Sequence, residues 1–202
     1  MSSPTTRRRP TRDQVRRALL DAAAEVFARR GIDGASLDEV AAAAGFTKGA
    51  LYSNFASKAA LIDALAEDHI STYVDLGLAA VSDPDVPMTD QAKALGDRLT
   101  KALDERQDAQ VLFLDLWARS VRQGEPDQAF LQRRRELHAF ITRTLEEHAE
   151  RAGTQLPLSA EAVATVLMAL ANGLAIERRV APQQVPDDLF GQVLAMLVRP
   201  AD

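Results

Sequence analysis

Two helix-start signals lie only eleven residues apart, at Ser36 and Thr47, with Gly45 between them. No other feature constrains the fold as tightly, because it leaves room for one helix of about two turns before the next must begin. Ser36-Leu37-Asp38-Glu39 has the pattern of a capping box, in which the serine hydroxyl and the glutamate carboxylate each satisfy an orphan N–H. Leu37, Val40, Ala41 and Ala44 form the inner face of this helix, and Gly45 can close it as a left-handed cap. Thr47 caps the following helix. Phe46, just outside it, is placed to pack on Leu51 as a hydrophobic staple. Ala41, Gly45 and Leu51 thus have the spacing of a helix-turn-helix: a small residue for close approach, a glycine for the turn and an apolar anchor.

Such a unit is marginal alone. The helix before it supplies a third wall, with Val15, Ala18, Leu19, Ala22, Val26 and Phe27 at three- and four-residue spacing and Gly31 as its stop. On the helix after Thr47, Leu51 and Phe55 point inward. Gly49, Tyr52 and Ser53 fall on the outer arc, and Lys48 projects from the first turn. Thr47 and the free amides of that turn offer donors and partial positive charge to phosphate. Ser57 and Lys58 repeat the arrangement one helix later. A helix pushed outward in this way suits a DNA major groove. Gly49 costs about 1 kcal/mol relative to alanine. Close backbone approach to a ligand accounts for it, and so does simple tolerance.

A net charge of −5 argues against a nucleic-acid binder only if charge is evenly spread. It is not: residues 1–60 hold ten Lys and Arg against six Asp and Glu, and the remainder is acidic. Phosphate responds to the face it meets, so the first sixty residues are the anion-facing part. The tail Arg7-Arg8-Arg9-Pro10-Thr11-Arg12 reads equally as a minor-groove arm or as a solubilising segment.

The run from Ser36 to Val40-Ala41, with Gly45-Phe46-Thr47-Lys48-Gly49-Ala50-Leu51-Tyr52-Ser53-Asn54-Phe55, Ser57-Lys58 and Leu61, resembles the DNA-binding region of TetR-family transcriptional regulators. The resemblance covers roughly residues 12–66. It implies that Lys48, Gly49 and Ala50 approach bases, and that Ser36, Thr47, Tyr52, Asn54 and Lys58 lie against phosphates. With Ser53 these complete the expected DNA-binding set. The rest of the chain carries no family signature beyond its helical plan.

That plan is all-α, with about nine helices: a helix-turn-helix domain with its basic arm at 1–56, then an effector-binding and dimerisation domain at 57–202. A fourth helix runs through Leu61, Ile62, Leu65, Ile70 and Tyr73 to about Val81, and Asp83 to Pro87 breaks the pattern. Five more follow at roughly 89–105, 107–123, 127–152, 159–180 and 187–199, with Gly124-Glu125-Pro126 among the breaks. Val111 to Trp117 is apolar nearly all round, which marks a buried helix. Phe113, Trp117, Phe130 and Phe140 are candidates to line a cavity for an apolar ligand, and a filled core is the competing reading for each. Asp115 reads as an anchor for a cationic or hydroxylated ligand, as part of an internal salt bridge or as an exposed edge, and His138 as bordering the core. Arg133-Arg134-Arg135 reads as a solvated face. The last two helices carry more apolar surface than one bundle needs, with small residues Ala169, Ala171 and Gly173 for close helix approach. Val163, Val166, Leu170, Gly173, Leu174, Phe190, Val193, Leu194 and Leu197 are the candidate faces of a two-fold dimer.

No catalytic set, glycine-rich phosphate loop or metal-ligand spacing is visible, and no cofactor is expected. Cysteine is absent, no apolar run approaches the ~20 residues a bilayer span needs, and the N-terminus lacks a secretion signal. The expectation is a cytoplasmic, non-enzymatic homodimer, not membrane-bound. It binds a palindromic double-stranded operator as a repressor and is released by a small apolar effector. A helical ligand-binding or chaperone-like protein without operator binding is the alternative.

Overall fold

The computed structural model describes residues 10–80, 86–123 and 128–199. Among these residues the chain is all-α, as expected. Its helices are α1 (Arg12–Gly34), α2 (Leu37–Ala43), α3 (Lys48–Asn54), α4 (Lys58–Ala80), α5 (Met88–Glu105), α6 (Gln107–Gln123), α7 (Gln128–Ala152), α8 (Ala160–Val180) and α9 (Leu189–Leu197). A 3-10 turn, Pro182–Gln184, precedes α9. The arginines of the expected arm, Arg7 to Arg9, and the expected breaks at 83–85 and 124–126 lie outside the described residues. Packing divides the chain into two compact units after Leu65, so the first turns of α4 belong to one unit and the rest of it to the other.

In the first unit the caps act as their residue types dictate. Thr11 opens α1 with a capping box, its hydroxyl accepting from Gln14 N at 3.3 Å, a start the sequence reading did not single out. Gly31, at φ 71°, interrupts α1 rather than ending it, and the chain resumes for a last turn that buries Ile32. Ser36 and Glu39 form the expected box, at 3.2 Å and 2.9 Å. Gly45 adopts φ 72°, with Gly45 N donating to Ala42 O and Phe46 N to Ala41 O. Those two bonds make the turn a Schellman motif, which satisfies the last carbonyls of α2. Leu19, Ala23, Phe27, Val40, Leu51 and Leu61 are buried between the helices.

In the second unit α5 and α9 cross at two glycines. A Cβ on Gly96 would overlap the Gly191 backbone, and one on Gly191 would come within 2.9 Å of Lys93 O. At Gly173, by contrast, a Cβ meets nothing within 4 Å. Around the crossing, Leu99, Leu145, Val163, Leu167, Leu174, Phe190 and Leu194 form the core. Val163, Leu174, Phe190 and Leu194 are therefore core residues of this unit, which takes them out of the expected dimer face. Val166 is exposed, and Leu170, Gly173, Val193 and Leu197 stay partly open. Arg178 fastens the end of α8, bonding Asp104 at 2.6 Å and Asp187 at 3.0 Å. Over 21 residues α8 is long and apolar enough to cross a membrane by composition, contrary to the sequence reading, but its inner side is packed in this core.

A methyl group at Gly96 cannot be accommodated without moving α9. Gly96→Ala is expected to lose about 1–3 kcal/mol or more of stability, measured by urea unfolding, while Gly173→Ala is expected to lose none.

Candidate functional site

The first unit presents α3. Leu51 and Phe55 are 0% and 2% exposed, and hold the helix to the scaffold. The Arg16 guanidinium covers the Phe55 ring at 4.6 Å. Thr47 Oγ1 accepts from Ala50 N at 3.2 Å, which starts the helix. Thr47, Lys48, Gly49, Tyr52 and Ser53 are exposed, and Ala50 and Asn54 are half-buried, so one surface brings these residues together.

Several polar members of that surface already have partners. Lys48 Nζ donates to Asp38 Oδ2 at 2.9 Å, a bond that holds the ammonium above the usual lysine range. Ser53 Oγ and Asn54 Nδ2 both turn back on Ala50 O at 2.8 Å. Lys58 Nζ donates to Ala35 O at 2.6 Å and lies 5.9 Å from the Phe27 ring centre, so it clamps the loop that leads to Ser36. Glu39, the Ser36 partner, also pairs with Arg30 at 2.9 Å. Exposed pairs of the Lys48–Asp38 kind are worth little, so a phosphate or a base edge can compete for the ammonium. At Gly49 an added Cβ would find only Thr47 Oγ1, at 3.9 Å. Nothing within the chain demands glycine there.

The second unit holds a partly open cavity of about 160 Å³ between α4, α5, α6, α7, α8 and α9. Phe113 and Phe140 line it as expected. Phe130 and Trp117 do not. Phe130 packs edge-on behind Phe113 at 5.1 Å, and Trp117 packs on Phe130 at 6.1 Å, one layer back from the wall. Asp115 is off the wall, 3.8 Å from Arg122. His138 is also outside it, its Nε2 at 3.0 Å from Thr165 Oγ1 and 3.2 Å from Glu161 O, joining α7 to α8.

Residues missed in the sequence take their places. His69 lies between Tyr73 and Phe113, with ring centres at 4.8 Å and 4.5 Å, and burial pushes its pKa down to about 3. His148 is buried on the wall, and desolvation, then Arg151, lowers its pKa too. Arg134 also lines the cavity, stacked 4.4 Å over the Trp117 ring, and is not the solvated residue expected. The four-residue spacing of His69 and Tyr73 on α4 was the available signal for part of this wall.

Residues 19–65 match the family profile described as bacterial regulatory proteins, tetR family. Residues 88–199 match that described as the C-terminal domain of BetI-type transcriptional repressors. The HTH-type transcriptional regulator TtgR of Pseudomonas putida is 27% identical over 192 residues, covering 89% of this chain and 86% of that protein. The HTH-type transcriptional activator FasR of Mycolicibacterium smegmatis is 44% identical over 63 residues, 31% of this chain and 29% of its own. Among solved structures, the transcriptional regulator FadR from Bacillus subtilis, in complex with stearoyl-CoA, superposes with a TM-score of 0.72. It is 14% identical, with 90% of this chain and 96% of that chain covered.

The neutral His69 sets a pH dependence. Below about pH 6.5 the unfolded chain takes up a proton that the folded imidazole refuses down to about 3. Stability therefore falls as pH drops through this window, by about 1.4 kcal/mol per pH unit from this group. Urea titrations from pH 7 to 4 are expected to show that slope in the native chain and a smaller one in His69→Gln.

Proposed function

The chain belongs to the TetR family of DNA-binding transcriptional regulators, and on that premise we propose that it is a homodimeric repressor of a roughly palindromic operator, released when a small apolar effector fills the cavity of the second unit. The observation that carries the reading is the α3 surface: a capped helix, anchored by Leu51 and Phe55, with Thr47, Gly49 and Tyr52 exposed side by side. Thr47, Tyr52, Asn54, Ser36 and Lys58 serve phosphates, and Lys48, Gly49 and Ala50 approach bases. Ser53 adds a small contact. Lys48 exchanges Asp38 for DNA. Gly49 then has its reason, because the chain itself leaves space for a methyl group and only an outside partner would contest it.

The open side of α8 supports the dimer. Val166 and Ile176 are each 40% exposed there, beside half-buried Leu170 and Gly173, and Met196 of α9 is 73% exposed. Covering this face with a second copy buries apolar surface and places two α3 helices to address two half-sites. Effector release follows if the ligand prefers a conformation in which the half-site spacing is wrong, and the ligand can shift the balance only by its difference in affinity between the two states. Helix α4, which serves both units, is the lever. The Bacillus subtilis neighbour is a complex with stearoyl-CoA; the walls here suit the apolar part of a much smaller ligand. A protein working in this way acts in the cytoplasm.

Mobility shifts with the DNA flanking the gene test the reading. Sequence-specific retardation is expected, with affinity falling steeply between 50 and 200 mM salt, as phosphate contacts require. Binding no tighter than to random DNA sinks the proposal and favours a helical ligand-binding protein without an operator. Lys48→Ala with Tyr52→Ala is expected to weaken operator binding at least tenfold while leaving the fold intact by circular dichroism. Gly49→Ala is expected to show opposite signs: about 1 kcal/mol more stable helix, and weaker operator binding. Val166→Asp with Ile176→Asp is expected to yield monomers by sedimentation.

A further inference from the structure

The cavity walls are apolar, yet their charge is one-sided. None of the lining residues is an aspartate or glutamate, while one arginine is among them; the two histidines there have lowered pKa values and add no positive charge at neutral pH. Arg134 is the unusual member. Its neighbours in sequence are neutralised or solvated: Arg133 pairs with Glu136 at 3.2 Å and Glu67 at 3.6 Å, and Arg135 bonds Gln132. Among the described residues, no carboxylate pairs with Arg134, and its buried Nη1 has no hydrogen-bond partner. Beneath it the Trp117 Nε1–H is likewise buried without an acceptor, and His148 Nδ1 on the cavity wall is buried without a partner.

A buried donor left unpaired is costly, more so on a charged group, and Arg134, half-buried overall, has one at Nη1. Burial is the cause that lowers the guanidinium pKa here, which fits a cation lacking its partner. Fixed donors around an apolar space call for an acceptor with negative charge, and a guanidinium matches a carboxylate in two parallel bonds. The space is small. A cavity of roughly 150 Å³ admits a benzene ring, and this one is about 160 Å³. That admits a single ring or a short chain.

We propose that the effector is a small apolar monocarboxylate, its ring or short chain in the cavity and its carboxylate on Arg134. This rests on the cavity being the effector site. The charge pattern selects against amines, for which the wall has no counterion, and a neutral molecule would leave the guanidinium unpaired. Asp115, the anchor for a cation suggested by the sequence, plays no part.

Calorimetric titration of the protein tests this with two carboxylates, phenylacetate for a ring and hexanoate for a chain. Their uncharged counterparts are phenylacetamide and hexanamide, and phenethylamine supplies the cation. At least one carboxylate is expected to bind ten times or more tighter than its amide, and the amine to bind more weakly than both. In Arg134→Gln that preference is expected to vanish while the amide binds as before, and Arg134→Lys keeps part of it. An amide equal to its carboxylate in the native chain, or a carboxylate preference unchanged in Arg134→Gln, overturns the carboxylate assignment and leaves the effector site standing. Failure of all five compounds to bind overturns both. Carboxylate binding that leaves operator retardation unchanged upholds the ligand class and sinks release by effector.

Discussion

Helix α3 is too short to exist by itself. Seven residues cannot repay the cost of nucleating a helix in water, so its stability has to come from packing. Leu51 and Phe55, one turn apart and almost wholly buried, supply that packing against the buried faces of α1 and α2. Every proposed DNA contact on α3 takes its direction from these two side chains, since a rotation that released them would turn Tyr52 and Gly49 away as well. The caps refine what the core begins. Ser36 and Thr47 fix where α2 and α3 start, and the Schellman turn at Gly45 fixes the angle between them. Lys58 locks the loop before Ser36 from the side, through the carbonyl of Ala35.

The second unit meets a different demand, which is to stay folded around a cavity. Its rigidity is concentrated where α5 and α9 touch at Gly96 and Gly191, a contact so close that backbone meets backbone. Arg178 adds a clasp between α8, α5 and the loop before α9. Arg106 does the same for α4, through Asp68 and Thr72. These fastenings surround the core and leave the cavity wall to side chains that do not fill it, such as Phe113, Phe140 and Leu167. Interiors pack to near-crystalline density as a rule. A cavity of this size, with buried unpaired polar atoms at its edge, departs from that rule.

The first unit was largely legible because its signals are local. A capping box, a left-handed glycine and an apolar residue at fixed offsets each act within a few residues, so Ser36, Gly45, Thr47 and Leu51 could be placed without a structure. The second unit was legible only as a series of helices. Which side of α6 faces a cavity depends on where α4 and α7 lie, and no periodicity within α6 contains that information. Phe113 and Trp117 are one turn apart on α6, but only Phe113 reaches the wall. The glycines at the α5–α9 crossing were hidden for the same reason: 95 residues separate Gly96 from Gly191, and neither shows what the other needs. On α8, Val163 and Val166 looked alike in sequence and separate only when the core claims one and leaves the other exposed.

Arg133-Arg134-Arg135 shows where composition stops and geometry starts. Three arginines in a row read as a solvated face, yet successive residues on a helix point about 100° apart, so the three cannot share one environment. Arg133 turns to the carboxylates of Glu67 and Glu136, and Arg135 to the polar side of its own helix. Arg134 is left to lie across Trp117 at the cavity wall. The aromatic face gives the cation partial compensation by a cation–π contact, but it accepts no hydrogen bond at Nη1. An arginine held in this state adds less to the fold than a leucine of similar reach would. Its presence is better understood as one half of an ion pair whose other half arrives with the ligand.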